Sequence, residues 1–552
     1  MNPNSDKLNF SIPDEVRTII STLTKAGHKG YVVGGSVRDL LLKNSPAGGP
    51  KDWDVATDAK PEEIQKLFST FAGATADRPA TVYENQFGTV GIKTGSEDKR
   101  LAIIEVTTFR KEETYSDLRH PDNVTFTKTI EEDLARRDFT VNAMALNVDV
   151  GNVGDVGDVR NVGGDRTVGN VEDKKSRQAK RSNERSDSTL ERPTSVGLID
   201  PFGGQDDLES KVIRAVGDPR KRFAEDALRL MRAVRFAAEL GFNIEEETES
   251  AVKSHANLIS KIAKERIRDE FSKILLSNGA GAMWGVEELE RLNLLSYVMP
   301  ELREGIGVTQ NKHHIYTVWE HNILSLDYAA KQNYGLEIRM AALLHDIGKP
   351  RTKDGDGPNS TFYNHEIVGA RMAEEALERL RFSSDFIKKV SHLIRYHMFY
   401  YNVDEVSAAG VRRFLNRVGP ENVDDFIKLR EADRIGSGVP KAVPYKLRHL
   451  LFMIEKVKKD PISHRMLAID GNELMQVLNI EPGPRVGWIL AILLESVIDE
   501  PSKNDKDALL KQAKELTRLG DEELETQAKT ANSTKSEFES GIETEMKKKF
   551  FV

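Results

Sequence analysis

The chain has 552 residues, enough for three or four compact domains, and its 80 basic and 88 acidic residues give a formal net charge of −8. This balance excludes nucleic-acid recognition by bulk positive charge, so any such surface must be local. The absence of cysteine excludes disulfides, thiolate metal sites and a cysteine nucleophile, which leaves histidine and carboxylate side chains as the strong metal ligands.

Two further absences bear on location. The segment MNPNSDKLNF has no signal-peptide pattern, and no apolar run approaches the roughly 20 residues that a membrane span needs. We therefore expect a cytoplasmic protein without membrane contact.

The hydropathy pattern changes along the chain. Short β-rich runs alternate with helical patterns between about residues 12 and 147, which predicts a small α/β domain. From residue 218 onward, apolar residues recur every three or four positions, as in LRLMRAVRFAAELGF, which predicts helices almost throughout. The predicted class is α+β, with a mixed sheet in the N-terminal domain and an all-α remainder.

Two segments have too few large apolar residues to form a core. Residues 151–195 repeat Gly, Asn, Val and Asp before a basic run, which predicts a disordered insertion. The basic stretch from Lys174 to Arg185 either contacts RNA or is a solvated run. Residues 521–552 are polar, and we predict a disordered C-terminus there.

The first group of candidate functional residues begins at YVVGGSVRDLLL, which reads as an apolar strand, a glycine turn and a helix. Gly34 and Gly35 would let backbone N–H groups approach an anion closely, which suits a triphosphate. Most Gly-Gly pairs are ordinary tight turns, so this segment alone does not decide its function.

Paired acidic residues follow the glycine turn. Asp52 and Asp54, in KDWDVATDA, would point to the same face of a strand and could hold divalent ions. Two carboxylates held close repel each other without a metal. A lone D-x-D is usually a solvated loop, but its position after the glycine turn favours the functional interpretation.

The glycine turn and the acidic pair are the first two of six motifs. In chain order these are GGSVRDLLL, DWDVATDA, ARRDFTVNAMA (135–145), DPFGGQDDL (200–208), EDALRLMRAVRFAAELGF (225–242) and KERIRDEFSKIL (264–275). This order closely resembles the bacterial class II tRNA nucleotidyltransferases and their poly(A) polymerase relatives, over roughly residues 14–300 apart from the insertion. The resemblance implies a polymerase-beta-like nucleotidyltransferase head over 1–217, a helical neck over 218–305 and a helical, tRNA-contacting tail over 441–520. It also implies addition of CMP and AMP, from CTP and ATP, to the 3′ end of tRNA.

Such a transfer needs two metal ions about 4 Å apart, for which we expect Mg²⁺. Asp52 and Asp54 are the predicted catalytic metal ligands. Glu105 is a possible third ligand, or it pairs with Arg110 at a strand edge. Arg110 opens a stretch to Thr125 that matches a mobile loop of the family.

The segment EDALRLMRAVRFA, predicted as one helix, carries Asp226, Arg229, Arg232 and Arg235 at every third position. In an apolar helix, some of these must be paired or face a ligand, and an internal ion-pair ladder is the alternative. The resemblance implies that Asp226 and Arg229 read the Watson–Crick edge of the incoming base. The other candidate nucleotide-binding residues are Gly34, Gly35, Arg38, Arg110, Arg136, Arg137, Asp138, Asn142, Arg232 and Arg235. Asp138 could equally be structural.

A second group of candidates lies within residues 306–440, where histidines mix with carboxylates. A lone helical histidine is usually structural, but the adjacent His345 and Asp346 at a helix end resemble the HD phosphohydrolase superfamily. The resemblance implies that one divalent transition metal or Mg²⁺ is bound by His321, His345, Asp346 and Asp433. His365 and His397 could complete a two-metal centre, while His392 faces outward. The substrates would be 2′,3′-cyclic phosphates or 2′-phosphates, unless the domain only folds around a metal and grips tRNA.

Several functions share these motifs. An A-adding or CC-adding enzyme and a poly(A) polymerase are the narrower enzymes, and a catalytically silent RNA-binding protein is the alternative outside enzymes. No strongly basic C-terminal extension supports a poly(A) polymerase. Asp52 and Asp54 are both present, which argues against a silent protein. The sequence does not determine the oligomeric state.

Overall fold

The structure is a computed structural model that describes residues 8–42, 49–69, 81–84, 88–112, 124–148, 194–311, 315–399, 401–403, 405–458 and 464–552. The predicted insertion lies outside the described residues as far as residue 193, and so does most of the predicted loop after Arg110. Two compact units make up the chain. The first comprises Met1–Arg303 with Arg379–Phe382, and the second comprises Glu304–Glu378 with Ser383–Val552.

The first unit contains a mixed sheet, as predicted. The strands are β1 (Leu8–Phe10), β2 (Gly30–Val33), β3 (Asp54–Thr57), β4 (Thr81–Glu84), β5 (Thr89–Lys93), β6 (Ile103–Thr108), β7 (Arg110–Glu112), β8 (Val124–Phe126), β9 (Ala145–Val148), β10 (Thr194–Ile199), β11 (Val212–Ile213) and β12 (Asn243–Ile244). Eight of them form one sheet in the order β1-β10-β9-β2-β3-β6-β5-β4, in which β3 and β6 are parallel and the other neighbours are antiparallel. Strands β7 and β8 form an antiparallel pair, and β11 and β12 a parallel pair.

The centre of this sheet is apolar and β-branched, which suits a pleated, buried surface. Val32, Val55 and Val106 are fully buried on the adjacent strands β2, β3 and β6. At the start of β3, Asp54 lies opposite Val33 of β2 and Glu105 of β6. The register therefore places two acidic residues, Asp54 and Glu105, beside each other on neighbouring parallel strands.

Helices complete the first unit. They are α1 (Asp14–Lys25), α2 (Gly35–Leu41), α3 (Pro61–Phe68), α4 (Ile130–Ala135), α5 (Gly204–Ser210), α6 (Pro219–Glu225), α7 (Leu228–Leu240), α8 (Glu246–His255), α9 (Lys264–Leu275), α10 (Gly281–Arg291), α11 (Leu295–Val298) and α12 (Pro300–Arg303). Helix α7 packs against α9 and α10. The prediction of one helix through EDALRLMRAVRFA is wrong at its start, because Asp226 has an extended backbone between α6 and α7.

The second unit is helical in its described part. The remaining helices are α13 (Val318–Lys331), α14 (Leu336–Leu344), α15 (Lys349–Thr352), α16 (His365–Arg379), α17 (Ser384–Tyr396), α18 (Ala408–Val418), α19 (Val423–Gly436), α20 (Tyr445–Lys458), α21 (Gly471–Leu478), α22 (Pro484–Asp499), α23 (Lys506–Leu516) and α24 (Asp521–Phe550). Helix α13 packs against α14 and α19, and α14 also packs against α17. In none of the described helices does an apolar stretch reach the length of a membrane span.

The predicted disorder of residues 521–552 is wrong, because α24 covers 30 residues of this segment. Leu524, Ala528 and Ala531 recur at helical spacing, are buried, and belong to the same apolar cluster as residues of α22. Two ion pairs with α20, Lys456–Glu543 and Lys549–Glu455, lie further along the helix. Two of the four buried residues of this helix are alanines, which a count of large apolar residues overlooks.

We predict that Leu524→Ala lowers the free energy of unfolding by roughly 2 to 4 kcal/mol, because it leaves a cavity in a fully buried position. Urea unfolding followed by circular dichroism measures this loss. The matched control is Lys529→Ala on the exposed side of the same helix, which should change the unfolding free energy by less than about 0.5 kcal/mol. Equal effects of the two substitutions would contradict the packing described for α24.

Candidate active sites

A cleft of about 560 Å³ in the first unit brings together most of the predicted nucleotide-binding residues. It is lined by Gly35, Arg38, Asp52, Asp54, Arg136, Arg137, Asp138, Asn142, Asp226, Leu228, Arg229, Arg232, Phe236 and Arg266. Three predicted nucleotide-binding residues, Gly34, Arg110 and Arg235, are not part of this lining.

The glycine turn lies directly beside the acidic pair. Gly34 precedes α2 with φ +76°, a conformation that favours glycine. A Cβ atom at Gly34 would lie 2.7 Å from Nη1 of Arg137 and 3.7 Å from Oδ2 of Asp54. The turn therefore lies against both a cationic and an anionic side chain of the cleft, and a larger residue at Gly34 would be strained by the positive φ and would displace the end of the Arg137 side chain.

Asp52 and Asp54 face the same cleft. Burial raises the pKa of Asp54 to about 6, and the neighbouring Glu105 and Asp52 also raise it, while Arg137 opposes the shift. Because like-charged carboxylates are close together here, a divalent cation would relieve their repulsion. The donor set of carboxylate oxygens therefore fits Mg²⁺.

Glu105 lies beside Asp54 across the parallel strands β3 and β6, and its contribution as a third ligand stays a prediction. Arg110 pairs with Glu112 at 2.8 Å, two residues further along β7. Its predicted contact with a nucleotide also stays a prediction.

A hydrogen-bonded network connects the cleft wall to the neck. Arg38 donates to Oδ1 of Asn142 at 2.8 Å, and Asn142 lies 3.4 Å from Asp138. Asp138 accepts from Nε of Arg232 at 2.7 Å. Although burial would raise the pKa of Asp138, Arg232 lowers it to about 2. Asp138 thus anchors Arg232 of α7 to the head, which supports the structural alternative for Asp138 while leaving it in the lining of the cleft.

The predicted base-reading residues are both held by protein partners. Asp226 accepts from Nη2 of Arg266 at 2.9 Å and from its Nη1 at 3.3 Å. Arg229 donates to Oε2 of Glu225 at 2.6 Å and to the carbonyl oxygen of Arg136 at 3.2 Å. Both side chains are oriented by these bonds at the break between α6 and α7.

The prediction that Arg235 contacts the nucleotide is not supported by its position. Residues three positions apart on a helix of 3.6 residues per turn point in directions that differ by about 60°. Arg229 and Arg235 are two such steps apart, so their side chains point about 120° away from each other. Arg235 is buried and pairs with Glu270 of α9 at 2.6 Å and with Glu239 at 2.8 Å. Arg235 therefore links α7 to α9 by an ion pair. This is the structural role that the sequence analysis gave as the alternative for the charged residues of this segment.

Arg266 and Phe236 line the cleft but were not singled out from the sequence. Arg266 stands four residues before Glu270 in KERIRDEFSKIL, so both side chains lie on the α9 face that contacts the Asp226–Arg235 segment. The sequence signal that could have identified Arg266 is this pair of charged residues four positions apart, in a helix that follows the arginine-rich segment. The guanidinium groups of Arg38 and Arg232 lie 5.4 Å and 5.1 Å from the ring centre of Phe236.

The second unit contains the other predicted site. All six predicted metal ligands are buried: His321 on α13, His345 and Asp346 after α14, His365 at the start of α16, His397 after α17 and Asp433 on α19. The Nε2 atoms of His321 and His345 lie 2.9 Å apart. Potential ligand atoms form two groups that could each hold a cation, one made of His321, His345 and Asp433 and the other of His345, Asp346 and His397.

Asp346 lies at the centre of this cluster. Its Oδ2 atom is 3.1 Å from Nε2 of His321, and its Oδ1 atom is 3.3 Å from Nε2 of His365 and 3.6 Å from Nε2 of His397. His392 is not part of the cluster, since its Nε2 atom lies 2.6 Å from the carbonyl oxygen of Val418.

Three of the imidazoles are oriented in the same way. Nδ1 of His345, His365 and His397 lies 2.7 to 2.9 Å from the carbonyl oxygen three residues earlier, in Ala342, Phe362 and Ile394 respectively. A proton on Nδ1 leaves the lone pair of Nε2 directed at the cluster, which is the usual orientation of histidine ligands. The donor set of imidazole nitrogens and carboxylate oxygens therefore fits a divalent metal.

The cluster also binds a proton in the absence of a cation. Although burial lowers it, hydrogen bonds and charge attraction from Asp346 and Asp433 raise the pKa of His321 to about 9. A metal and this proton compete for the same nitrogen.

Comparison with known proteins places these sites in a family. The chain matches the models described as the poly A polymerase head domain over residues 30–164, the probable RNA and SrmB-binding site of polymerase A over 241–306, and the HD domain over 318–434. An A-adding tRNA nucleotidyltransferase from Deinococcus radiodurans is 33% identical over 69% of this chain and 78% of that protein. A CCA-adding enzyme from Enterococcus faecalis is 30% identical over 93% of this chain and 98% of that protein.

The chain belongs to the tRNA nucleotidyltransferase family. The fold agrees with this assignment, because the CCA-adding enzyme of Bacillus stearothermophilus, solved in complex with CTP, superposes with a TM-score of 0.50 and 25% identity. That alignment covers 91% of this chain and 97% of the solved chain. The resemblance inferred from the six motifs and from the histidine pattern is thus confirmed at the level of family and fold.

For this tRNA nucleotidyltransferase we predict that binding of Mn²⁺ to the histidine cluster at pH 7.5 releases about one proton per metal ion, because His321 must lose its proton to become a ligand. Asp54, with a pKa of about 6, is already ionised at this pH, so the first unit contributes little. Calorimetric titration in two buffers of different ionisation enthalpy measures the release.

His321→Ala should remove this proton release, whereas the matched control His392→Ala, outside the cluster, should keep it. The same binding enthalpy in both buffers for the wild-type protein would show that His321 is neutral before the metal binds.

Proposed function

We propose that the first unit adds CMP and AMP, from CTP and ATP, to the 3′ end of tRNA without a nucleic-acid template, as a cytoplasmic enzyme. One observation carries this proposal. Asp52 and Asp54 lie in the same cleft as Asp226 and Arg229, and Gly34 sits against Asp54. A metal-binding pair, a phosphate-accessible turn and base-directed polar groups are the parts that this transfer needs.

The phosphates would be held by the glycine turn and the nearby cationic side chains. Gly34 and Gly35 permit close approach of a triphosphate to the backbone, and Arg38, Arg136 and Arg137 supply positive charge along the same wall. Mg²⁺ held by Asp52 and Asp54, with Glu105 as a possible third ligand, would neutralise phosphate charge and lower the pKa of the RNA 3′-hydroxyl.

Base selection would come from the chemistry of Asp226 and Arg229. A carboxylate only accepts hydrogen bonds, so Asp226 suits the exocyclic amine that cytosine and adenine share. The guanidinium of Arg229 only donates, and suits ring nitrogen and oxygen acceptors. Guanine and uracil present a carbonyl where this pair requires an amine. Arg266, which already contacts both oxygens of Asp226, holds that carboxylate in a fixed orientation.

The experiment is incorporation by the pure protein on tRNAs that lack CCA, CA or only A, with ATP and CTP offered separately and together. We expect both nucleotides to be added in order. AMP alone on the CC end would identify an A-adding enzyme like the D. radiodurans relative, addition of C residues alone a CC-adding enzyme, and long A tracts a poly(A) polymerase.

We predict that Asp54→Ala abolishes incorporation on all three tRNAs, because the metal pair loses the ligand nearest the glycine turn. Gel electrophoresis with labelled ATP or CTP measures this loss. His345→Ala, in the second unit, is the matched control and should incorporate at the wild-type rate. Tailing by Asp54→Ala protein would refute the proposed chemistry.

As a second function, we propose that the histidine cluster supports phosphohydrolysis of 2′,3′-cyclic phosphates or 2′-phosphates on nucleotides or RNA ends. The observation that favours it is the convergence of six buried ligand side chains beneath an open cavity. A divalent metal held there would supply Lewis-acid activation of water and neutralise phosphate charge. The open cavity favours a catalytic metal over a purely structural one, because structural metal sites are normally closed.

We predict that the protein hydrolyses 2′,3′-cyclic AMP when supplied with Mn²⁺, Co²⁺, Ni²⁺ or Mg²⁺, and that chelation or His345→Ala removes this activity while sparing tailing. Chromatography of the adenosine monophosphate product measures it, and His392→Ala serves as the control. Hydrolysis that persists in His345→Ala protein would exclude the cluster as its source.

A further inference from the structure

The cavity above the histidine cluster has a volume of about 500 Å³, within the range of small-molecule sites. Asp346, His365, His397 and Asp433 contribute to its lining. The remaining lining residues have chemistry that the metal cluster itself does not use.

Three of the lining residues that the structure describes are cationic, and two of them are paired with carboxylates. Lys349 lies 2.5 Å from Asp346, and Arg430 lies 2.5 Å from Asp433. Arg434 has no carboxylate within 4.0 Å in the part of the chain that the structure describes, and its Nε donates to the carbonyl oxygen of Lys441 at 3.4 Å. Arg434 is therefore the surplus positive charge of the lining.

Arg430 and Arg434 are four residues apart on α19, so they lie on the same side of that helix. Like charges at this spacing destabilise a helix unless an anion lies near them. Planar guanidinium groups match phosphate oxygens in particular, because they donate pairs of parallel hydrogen bonds. The arrangement suits a ligand whose phosphate enters from the cavity.

The mouth of the cavity carries exposed apolar side chains. Tyr363 is 78% exposed and Met398 is 56% exposed, although both line the cavity. Each lies close in sequence to a cluster histidine, since Met398 follows His397 and Tyr363 precedes His365 by two residues. Asn364, between Tyr363 and His365, has φ +61°, so a tight turn separates the outward tyrosine from the inward histidine.

We propose that Arg434 binds the phosphate of the substrate and that Tyr363 stacks on its base, so that the second site selects nucleotides or RNA 3′ ends over small phosphate esters. This inference rests on the phosphohydrolase function proposed above. An exposed aromatic face beside a phosphate-binding arginine is the combination that recognises a nucleotide without reading its sequence.

The test separates the two roles by using two ligands. Arg434→Ala should raise both the KM for 2′,3′-cyclic AMP and the inhibition constant of inorganic phosphate by about tenfold or more, because a charged hydrogen-bond donor is lost. The value of kcat should change little, and Arg434→Lys should restore part of the affinity. Tyr363→Ala should raise the KM for 2′,3′-cyclic AMP but leave the inhibition constant of phosphate unchanged, and Tyr363→Phe should behave as wild type.

Arg412→Ala, an exposed arginine on α18 outside the cavity, is the matched control and should change neither constant. A second readout does not need turnover. Calorimetric titration of the full-length, metal-loaded protein with adenosine 2′-monophosphate should show a binding event that weakens in Arg434→Ala and in Tyr363→Ala, while any binding to the first unit stays the same in all proteins.

The outcomes distinguish the two proposals. A wild-type protein that binds adenosine 2′-monophosphate through Arg434 and Tyr363 but does not hydrolyse the cyclic nucleotide would refute the phosphohydrolase function and leave the ligand assignment in place. A protein that hydrolyses the cyclic nucleotide equally well with Arg434→Ala or Tyr363→Ala would refute the assignment of that residue. An effect of Tyr363→Ala on phosphate inhibition would show that the tyrosine shapes the site and does not stack on a base.

Discussion

Carboxylates that are buried or half-buried, Asp54 in the first unit and Asp346 and Asp433 in the second, are the constraint on which both sites depend. Such groups are costly to bury unless positive charge lies beside them. In the first unit, Arg137 opposes the raised pKa of Asp54, but the pKa still reaches about 6. In the second unit, Lys349 and Arg430 contact Asp346 and Asp433, and the pKa values of both carboxyls are held well below their ordinary value despite burial. Burial is the main cause of this raised pKa of Asp54, with smaller contributions from Glu105 and Asp52, and a divalent cation would stabilise the charged form of Asp54.

The side chains proposed to read the base are also held by charged partners. Asp226 follows the end of α6 and has an extended backbone, and Arg229 lies in the first turn of α7. Arg266 holds Asp226, Glu225 holds Arg229, and Asp138 holds Arg232. Protein partners therefore fix these polar groups before a nucleotide arrives, so less ordering is needed on binding. A protein that replaces a nucleic-acid template requires this rigidity, because its hydrogen-bond pattern must be constant from one addition to the next.

The sequence reveals the residues of the sites better than their partners. The order of motifs identifies Asp52, Asp54 and the glycine turn, because their chemistry depends on local spacing along a strand and a turn. The position of Arg266 and the direction of Arg235 toward α9 depend on how α7 and α9 pack, which local spacing does not specify. Helix α24 was missed because it buries few large apolar residues, and its stability comes from contact with α22 and α20. Tertiary packing overrides local composition in each of these cases.

The histidine cluster shows how the ends of helices help to build a metal site. The last carbonyl groups of a helix have no partner within the helix, so they can accept a hydrogen bond from a following side chain. His345 and His397 each follow a helix and lie against the carbonyl of Ala342 or Ile394 in its last turn. The same contact that satisfies the helix end thereby directs Nε2 of each ring inward. A histidine that only filled space would not need this orientation, and a metal that only stabilised the fold would not need a cavity above it. The coincidence of oriented imidazoles with an open, cation-lined cavity therefore favours a site that exchanges ligands.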